Sequence, residues 1–112
     1  MDWQPGTIVW MQVTDPNGRN PKTRPLILVS PLDENGNHDA VAVSSRVDLF
    51  REDCCVFLPW SHGGHIKTQL SKKCIARCDW MVKLKPSDVA RVGGIVPQQT
   101  LIKILARITA KP

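Results

Sequence analysis

The sequence predicts a small, mainly β fold, a partly open barrel packed by a C-terminal helix. Short stretches with strand composition, separated by turn-forming residues, occupy most of the chain. Helical periodicity replaces them near the end. The 112 residues are 42% hydrophobic and 22% charged, which is typical of one soluble globular domain spanning residues 1–112.

The first two predicted strands flank a loop. Residues 7–13 are rich in β-branched and apolar side chains, and residues 25–30 are apolar throughout, as in a strand buried on both faces. Between them, residues 14–23 contain Asp-Pro-Asn-Gly and Asn-Pro sequences, which favour a loop. Because proline is tolerated at the first residue of a strand, we expect Pro25 to begin the second strand.

Three further strands are expected. An Asn-Gly pair within residues 31–39 predicts a hairpin turn that leads into a strand at 40–44. A short strand is expected at 55–58, followed by a Gly-Gly loop at 60–69 and the last long strand at 74–82.

The end of the chain predicts helices. Residues 85–88 are expected to open a short helix with Ser87 as its N-cap, and a Gly-Gly pair at 93–94 is expected to end it. Pro97 lies near the start of a final helix that extends to about Ala110. Its predicted apolar stripe consists of Leu101, Ile102, Leu105 and Ile108.

Charge and hydropathy limit the partners. A net charge of +5 favours a polyanion or an acidic protein segment as the ligand. No apolar run approaches the roughly 18–20 residues of a membrane span. The first residues lack a basic region followed by an apolar stretch, so we expect no secretory signal and a cytoplasmic protein.

The cysteines raise the question of a zinc site, together with two nearby histidines. The residues concerned are Cys54, Cys55, Cys74, Cys78, His62 and His65. Four residues along a strand span roughly 13 Å, which separates Cys74 from Cys78 too far for one ion with Zn–S bonds of about 2.3 Å. Adjacent Cys54 and Cys55 are expected to point to opposite faces. We therefore expect buried free thiols in a reducing compartment and no metal.

An arginine precedes the second predicted strand. The residue before a proline is restricted to extended geometry, so Arg24 is expected to direct its guanidinium out of the sheet at a fixed angle. A rigid fork of five N–H donors is suited to binding phosphate oxygens.

A second arginine lies in Arg77-Cys78-Asp79 on the last long strand. Strand alternation predicts that Arg77 and Asp79 share the solvent face, while the even-numbered residues from Cys74 to Val82 face the core. A carboxylate beside an arginine stays ionised. It can accept a proton from a ribose hydroxyl while the guanidinium stabilises charge on the phosphate. The alternative is an exposed ion pair without catalytic function.

The order of strand, Pro/Gly/Asn loop, Arg-Pro, apolar strand and Arg-Cys-Asp resembles the MazF/PemK/Kid family of type II toxin–antitoxin endoribonucleases over nearly the whole chain. The resemblance implies an SH3-like barrel and catalytic roles for Arg24, Arg77 and Asp79, since the Kid branch carries Arg-Cys-Asp at this strand. It also implies that Ser44 and Ser45 position the scissile phosphate, where the family has Thr-Ser. A strand end with loop-forming serines is the alternative.

The loop before Arg24 departs from the family pattern because it is shorter and has neither Glu nor His. Asn20 or Arg19 is therefore expected to bind substrate, and the group that protonates the leaving 5′-oxygen stays open. His62 and His65 can supply an acid. The alternative is that both are solvated loop histidines.

The resemblance implies metal-independent cleavage of single-stranded RNA by 2′-OH attack, without a cofactor. It further implies a homodimer whose groove binds RNA or an acidic antitoxin peptide. Two other functions stay open: a gyrase-binding toxin of the same fold and a non-catalytic SH3-like module. The gyrase-binding branch is associated with a C-terminal Trp-Gly-Ile, whereas this sequence ends in Ala-Lys-Pro.

The four tryptophans divide into two predicted pairs. Trp10 and Trp80 fall on strands and are expected in the core. Trp3 and Trp60 fall in segments expected to be exposed, where an indole can stack on a base. Core or interface packing is the alternative for these two.

Overall fold

The computed structural model describes residues 3–15 and 17–109, and in these ranges the chain forms six strands and one α-helix. They are β1 (Thr7–Val13), β2 (Lys22–Leu28), β3 (His38–Ser44), β4 (Cys55–Phe57), β5 (Ile75–Leu84), β6 (Arg91–Ile95) and α1 (Gln98–Thr109). The strands form one open antiparallel sheet in the order β4-β5-β3-β2-β1-β6. The predicted mainly β fold with a C-terminal helix is confirmed.

The sheet has an apolar core on each face. We call the face beneath α1 the helix face and the other the opposite face. The helix face buries Ile8, Ile27, Val41 and Ala76 against Ile104 of α1. The opposite face buries Val9, Leu26, Ala42 and Leu84. Because the central strands are covered on both faces, their sequences are nearly continuous apolar runs.

A bulge interrupts β5. Val41 of β3 pairs with Met81, but the next residue, Ala42, pairs with Arg77. Residues 78–80 therefore have no partners in β3 and form the bulge. Bulges re-aim side chains relative to the regular pleat.

The bulge moves the even-numbered side chains of β5 from one face to the other. Ala76 and Cys78 lie in the helix-face core, whereas Trp80 and Val82 pack on the opposite face. The prediction of a single core face from Cys74 to Val82 is wrong beyond the bulge because the bulge reverses the alternation. Ile75, expected on the solvent face, is fully buried.

The second strand begins earlier than predicted. Pro25 lies inside β2 rather than at its start, since β2 pairs with β1 from Lys22 to Ile27. The pairing of β2 with β3 reaches only Leu26, so the side of β2 that faces β3 is unpaired at Pro25. A residue without an N–H is tolerated there because no ladder donor is lost.

The predicted short helix after β5 is wrong. Pro86–Asp88 is a single 3₁₀ turn, closed by a hydrogen bond from the Asp88 N–H to the Lys85 carbonyl at 2.9 Å. The Asp88 carboxylate caps the turn by accepting the Lys85 N–H at 3.0 Å, and Ser87 caps nothing. The chain then forms β6 along the free edge of β1. Strand pairing and packing override the local helix signals there.

The two glycines expected to stop that helix lie inside β6. A Cβ on Gly94 would overlap the carbonyl oxygen of Lys67. That oxygen accepts the N–H of Ile95 at 2.9 Å. Gly94 thus allows the loop before β5 to pack directly on β6, the close backbone approach that a strand glycine often marks.

Helix α1 begins at Gln98, near the predicted start, whereas the predicted end at Ala110 lies outside the described residues. Its buried stripe differs from the prediction by one residue. Ile104 is completely buried, while Ile102 is 57% exposed. Leu101 and Ile108 pack against the helix-face core. None of the described helical segments has both the length and the apolarity that crossing a bilayer requires.

All four tryptophans are half-buried. Trp10 and Trp60 pack against the helix-face core, and Trp3 and Trp80 pack against the opposite core. For Trp3 and Trp60 the structure therefore favours packing over an exposed stacking position.

Candidate active site

Strand register brings three predicted site residues to the opposite face. Leu26, Ala42 and Arg77 are consecutive partners across β2, β3 and β5. Arg24 lies two residues before Leu26 and Ser44 lies two residues after Ala42, so both project from the same face. β2 and β5 lie two strand spacings apart, roughly 10 Å. Two arginine side chains can reach a common phosphodiester across that distance.

Arg77 and Asp79 form a bidentate ion pair. The Arg77 Nε–H donates to Oδ1 at 2.9 Å and Nη2 donates to Oδ2 at 2.8 Å. Their side chains are only 21% and 25% exposed. The hydrogen bonds that Arg77 donates to Asp79 raise the pKa of Arg77 above its usual value, against a smaller opposing effect of burial. Arg77 therefore remains a cation and suits charge stabilisation rather than proton donation.

Arg24 packs against the bulge of β5. Its guanidinium carbon lies 5.2 Å from the centroid of the Trp80 ring, within the range of a cation–π contact. Its Nε–H is buried and finds no acceptor within residues 3–15 and 17–109. A buried donor without an acceptor is costly, and an incoming anion can satisfy it. The sequence did not reveal the role of Trp80 because the bulge creates it.

A cavity of about 290 Å³ opens next to Arg24. The other lining residues that matter here are Lys22, Lys72, Arg91, Ser45 and Trp10. Arg91 lies over Trp10, with 4.4 Å between its guanidinium carbon and the ring centroid. Four cations and an indole are suited to a nucleic-acid backbone and its bases. Sequence reasoning missed Lys22, Lys72 and Arg91 because pairing and loop packing bring them together.

The loop between β1 and β2 is organised by Asp15. Its carboxylate accepts the N–H of Asn17 and of Arg19 and the side-chain amide of Asn20, at 2.8–3.0 Å. The bond from Arg19 contributes most to lowering the pKa of Asp15. Asn20 has a left-handed φ of 54°, a conformation that asparagine tolerates. The Asn20 amide thus supports the loop and does not line the cavity. Pro16, predicted within this loop, lies outside the described residues.

The two serines after β3 have different environments. The Ser44 hydroxyl is buried and accepts the N–H of Arg46 at 3.0 Å, which closes the turn after the strand. Ser45 is exposed and lines the cavity.

Neither loop histidine lines the cavity. Nδ1 of His65 accepts the N–H groups of Lys67 and Thr68 at 3.1 and 3.3 Å, so this ring stabilises the loop before β5. His62 is exposed and packs edge-on against Trp60, with 5.2 Å between the ring centroids.

The cysteines are free, buried thiols in the structure. Contrary to the prediction, the sulfur atoms of Cys54 and Cys55 lie together, 3.8 Å apart. These two sulfurs and a carboxylate oxygen of Asp79 lie within 4.8 Å of one another, the one group of potential metal ligands within residues 3–15 and 17–109. Alternation fails there because Cys54 precedes β4 and belongs to a turn.

The amino-acid sequence matches no known family model and no curated protein. Solved structures match closely in fold. MazF from Deinococcus radiodurans superimposes with a TM-score of 0.71 at 22% identity, covering 98% of this chain and 96% of that chain. An endoribonuclease in complex with its cognate antitoxin, from a mycobacterial species, gives a TM-score of 0.70 at 14% identity, covering 96% and 91%.

The fold is that of the MazF toxins. The Mycobacterium tuberculosis toxin MazF-mt6 gives a TM-score of 0.62 at 16% identity, covering 94% of this chain and 92% of that chain. The MazF-type fold thus extends over nearly the whole chain. The fold that the family resemblance implied is confirmed.

Proposed function

We propose that this protein is a toxin-type endoribonuclease that cleaves single-stranded RNA. The observation that carries the proposal is the placement of Arg24 and the Arg77–Asp79 pair on one face of a MazF-type sheet. A cationic cavity adjoins Arg24 and extends toward the helix face, without Arg77 or Asp79 in its lining. The solved structures of the same fold include a protein named as an endoribonuclease, which supports the same activity.

The reaction that suits these groups is an internal transfer within RNA. The ribose 2′-OH attacks the adjacent phosphorus, the bond to the 5′-oxygen breaks, and a 2′,3′-cyclic phosphate remains. Asp79 accepts the hydroxyl proton, since its carboxylate is fixed beside the Arg77 guanidinium and its side chain is a quarter exposed. The nucleophile and the electrophile both belong to the substrate, so the proposed reaction uses no cofactor.

The two arginines stabilise the charge that develops during this step. Arg77 lies beside Asp79, the proposed general base. The Nε–H of Arg24 finds no acceptor among the described residues, and a phosphate oxygen of the substrate can accept it. Either guanidinium can also stabilise the leaving 5′-oxygen, which takes a proton from water, and Asp79 afterwards releases its proton to solvent. We assign substrate binding to Ser45, which is exposed at the cavity, and propose that Asn20 and Ser44 support the neighbouring loop and strand end.

The proposed partners follow from charge and fold. The net charge of +5 suits both RNA and an acidic antitoxin. The mycobacterial endoribonuclease of the same fold is itself in complex with its cognate antitoxin. We further propose that the chain is a single domain, forms a homodimer and acts in the cytoplasm, where free thiols persist.

Incubation of the purified protein with long single-stranded RNA in EDTA tests the function. We expect cleavage to persist, with 2′,3′-cyclic phosphate or 3′-phosphate ends at the mapped cuts. The Asp79→Asn protein, purified identically, controls for contaminating nucleases. Abolition by EDTA with rescue by Mg²⁺ or Zn²⁺ contradicts the mechanism. RNA binding without cleavage indicates a non-catalytic module, and gyrase binding without cleavage indicates the other toxin class.

A further inference from the structure

Two adjacent cysteines are brought to the proposed catalytic pair by the turn before β4. The N–H groups of Cys54 and Cys55 both donate to the carbonyl of Arg51, which bends the backbone at Cys54. Cys55 then pairs directly with Arg77 across β4 and β5. The carbonyl of Cys54 accepts the N–H of Cys78 at 2.8 Å, which fixes the turn against the bulge. Both thiols therefore lie on the same side, next to the Arg77–Asp79 pair.

We propose that Cys54, Cys55 and Asp79 form a binding site for a thiophilic divalent cation, with Zn²⁺ the best fit. The two sulfurs are 3.8 Å apart. A tetrahedral ion with Zn–S bonds of about 2.3 Å separates its sulfur ligands by ~3.8 Å. A carboxylate oxygen of Asp79 completes a set of three ligand atoms within 4.8 Å of one another. Three protein ligands leave a fourth position for water.

The charges at this site balance when a metal ion is bound. In the metal-free protein burial raises the pKa of the Cys54 thiol to about 11. A bound divalent ion displaces the two thiol protons to solvent and takes two thiolates as ligands. Two thiolates and the carboxylate carry three negative charges, and the ion together with the Arg77 guanidinium carries three positive charges. Arg77 therefore does not exclude the ion.

Entry to the site is from the side of Asp79. The thiols of Cys54 and Cys55 are almost wholly buried, whereas the Asp79 side chain is a quarter exposed. An ion thus meets the carboxylate first and reaches the sulfurs by local movement of the turn that contains Cys54.

Metal binding to reduced protein tests the proposal without any activity measurement. We expect equilibrium dialysis to give one Zn²⁺ per chain, and Co²⁺ to give a sulfur-to-metal charge-transfer band. Cys54→Ser and Cys55→Ser should each lower the affinity at least ~10²-fold, since even groups that only support a ligand typically contribute 10- to 100-fold. Cys74→Ser is the matched control, because it removes a buried thiol outside the group and should bind like the wild type.

The same measurements can contradict the proposed metal site. No bound Zn²⁺ in the wild type, or a full equivalent in the Cys54→Ser/Cys55→Ser double variant, contradicts it. Unchanged affinity in Asp79→Asn removes the carboxylate from the ligand set. Should circular dichroism show that the serine variants are unfolded, the wild-type Co²⁺ spectrum decides, and a spectrum without the charge-transfer band contradicts the proposal.

A consequence for activity rests on the proposed function. A metal ion bound to Asp79 prevents this carboxylate from acting as the general base. One equivalent of Zn²⁺ should therefore abolish RNA cleavage in the wild type and in Cys74→Ser. The cysteine-pair variants should resist inhibition when each is compared with its own zinc-free rate. Full activity with one equivalent bound contradicts the inhibition. If no RNA cleavage is found at all, the proposed function is wrong. The dialysis experiment still tests the metal site, because it measures Zn²⁺ binding without any activity.

Discussion

At the residue scale, an Arg-x-Asp sequence occurs three times in this chain, and each forms an ion pair between its two side chains. Arg46 and Asp48 form a bidentate pair at 2.9–3.0 Å, like Arg77 and Asp79, but with 61–66% of each side chain exposed. The third pair, at residues 51 and 53, is equally open to solvent. Only the strand position and the half-burial of Arg77 distinguish the pair proposed to be catalytic. The pair at 46–48 therefore supplies matched control variants.

Arg24→Ala and Arg77→Ala should each lower the cleavage rate at least ~10²-fold, because one preorganised group that stabilises developing charge typically contributes about 3–4 kcal/mol. We expect Arg46→Ala to cleave at the wild-type rate, since its ion pair is exposed. Single-turnover cleavage of one RNA substrate measures all three. A near-normal rate in Arg24→Ala or Arg77→Ala removes that residue from the site.

Asp79→Asn should lower the rate by roughly 10²–10⁴-fold, the usual contribution of a general base, because the amide keeps the shape but accepts no proton. RNA affinity should hold or rise, since a negative charge has left the surface. Asp48→Asn is the control and should change neither quantity. A rate change of only a few-fold in Asp79→Asn means that the carboxylate serves as a surface ion pair.

At the element scale, two features shape the candidate active site and its cavity: the β5 bulge and the close contact of β6 with the loop before β5. The bulge puts Trp80 beneath Arg24, and β6 carries Arg91 to Trp10. Neither feature is encoded by local composition. A bulge depends on how two strands register, and an edge strand depends on the edge to which it pairs.

Gly94→Ala should destabilise the fold by more than ~1–3 kcal/mol, the usual cost of overpacking, because its Cβ meets the backbone of Lys67, which cannot rotate away. Gly93→Ala is the neighbouring control and should cost less, since its Cβ mainly meets the movable indole of Trp10, at 3.0 Å. Urea denaturation midpoints compare the two variants. Wild-type stability in Gly94→Ala contradicts the close approach of loop and strand.

At the scale of the whole molecule, the net charge of +5 is partly concentrated at the cavity, where Lys22, Arg24, Lys72 and Arg91 converge. Phosphate contacts made by such cations release counterions, so RNA affinity should fall steeply with salt.

Lys72→Ala should weaken RNA binding and reduce the salt dependence by about one phosphate contact. Lys103→Ala changes the net charge equally but lies on α1, outside the cavity, and should leave the slope unchanged. Binding isotherms over a salt series, in the Asp79→Asn background to keep the RNA intact, measure both. Equal slopes for the two variants mean that the cavity is not the RNA surface.

Local sequence was sufficient for the elements whose signals are local. β1 has the predicted bounds, β3 and β5 shift by one or two residues, and the final helix starts near its predicted position. Composition and short-range spacing determine these elements, so they can be predicted without a structure. The choice of Arg24 and the Arg77–Asp79 pair came from the family resemblance carried by Arg-Pro and Arg-Cys-Asp, and it stays a prediction.

Tertiary structure alone decided the rest. Residues 91–95 became a strand because the edge of β1 was available. The local sequence had predicted a helix that a proline and a serine cap would begin and two glycines would end. The sulfurs of Cys54 and Cys55 converge because a turn precedes β4, although alternation predicted opposite faces. The cations of the cavity come from segments distant in sequence. For the strand and the cavity the deciding contacts join residues far apart along the chain, and no local pattern carries the energy of such a contact.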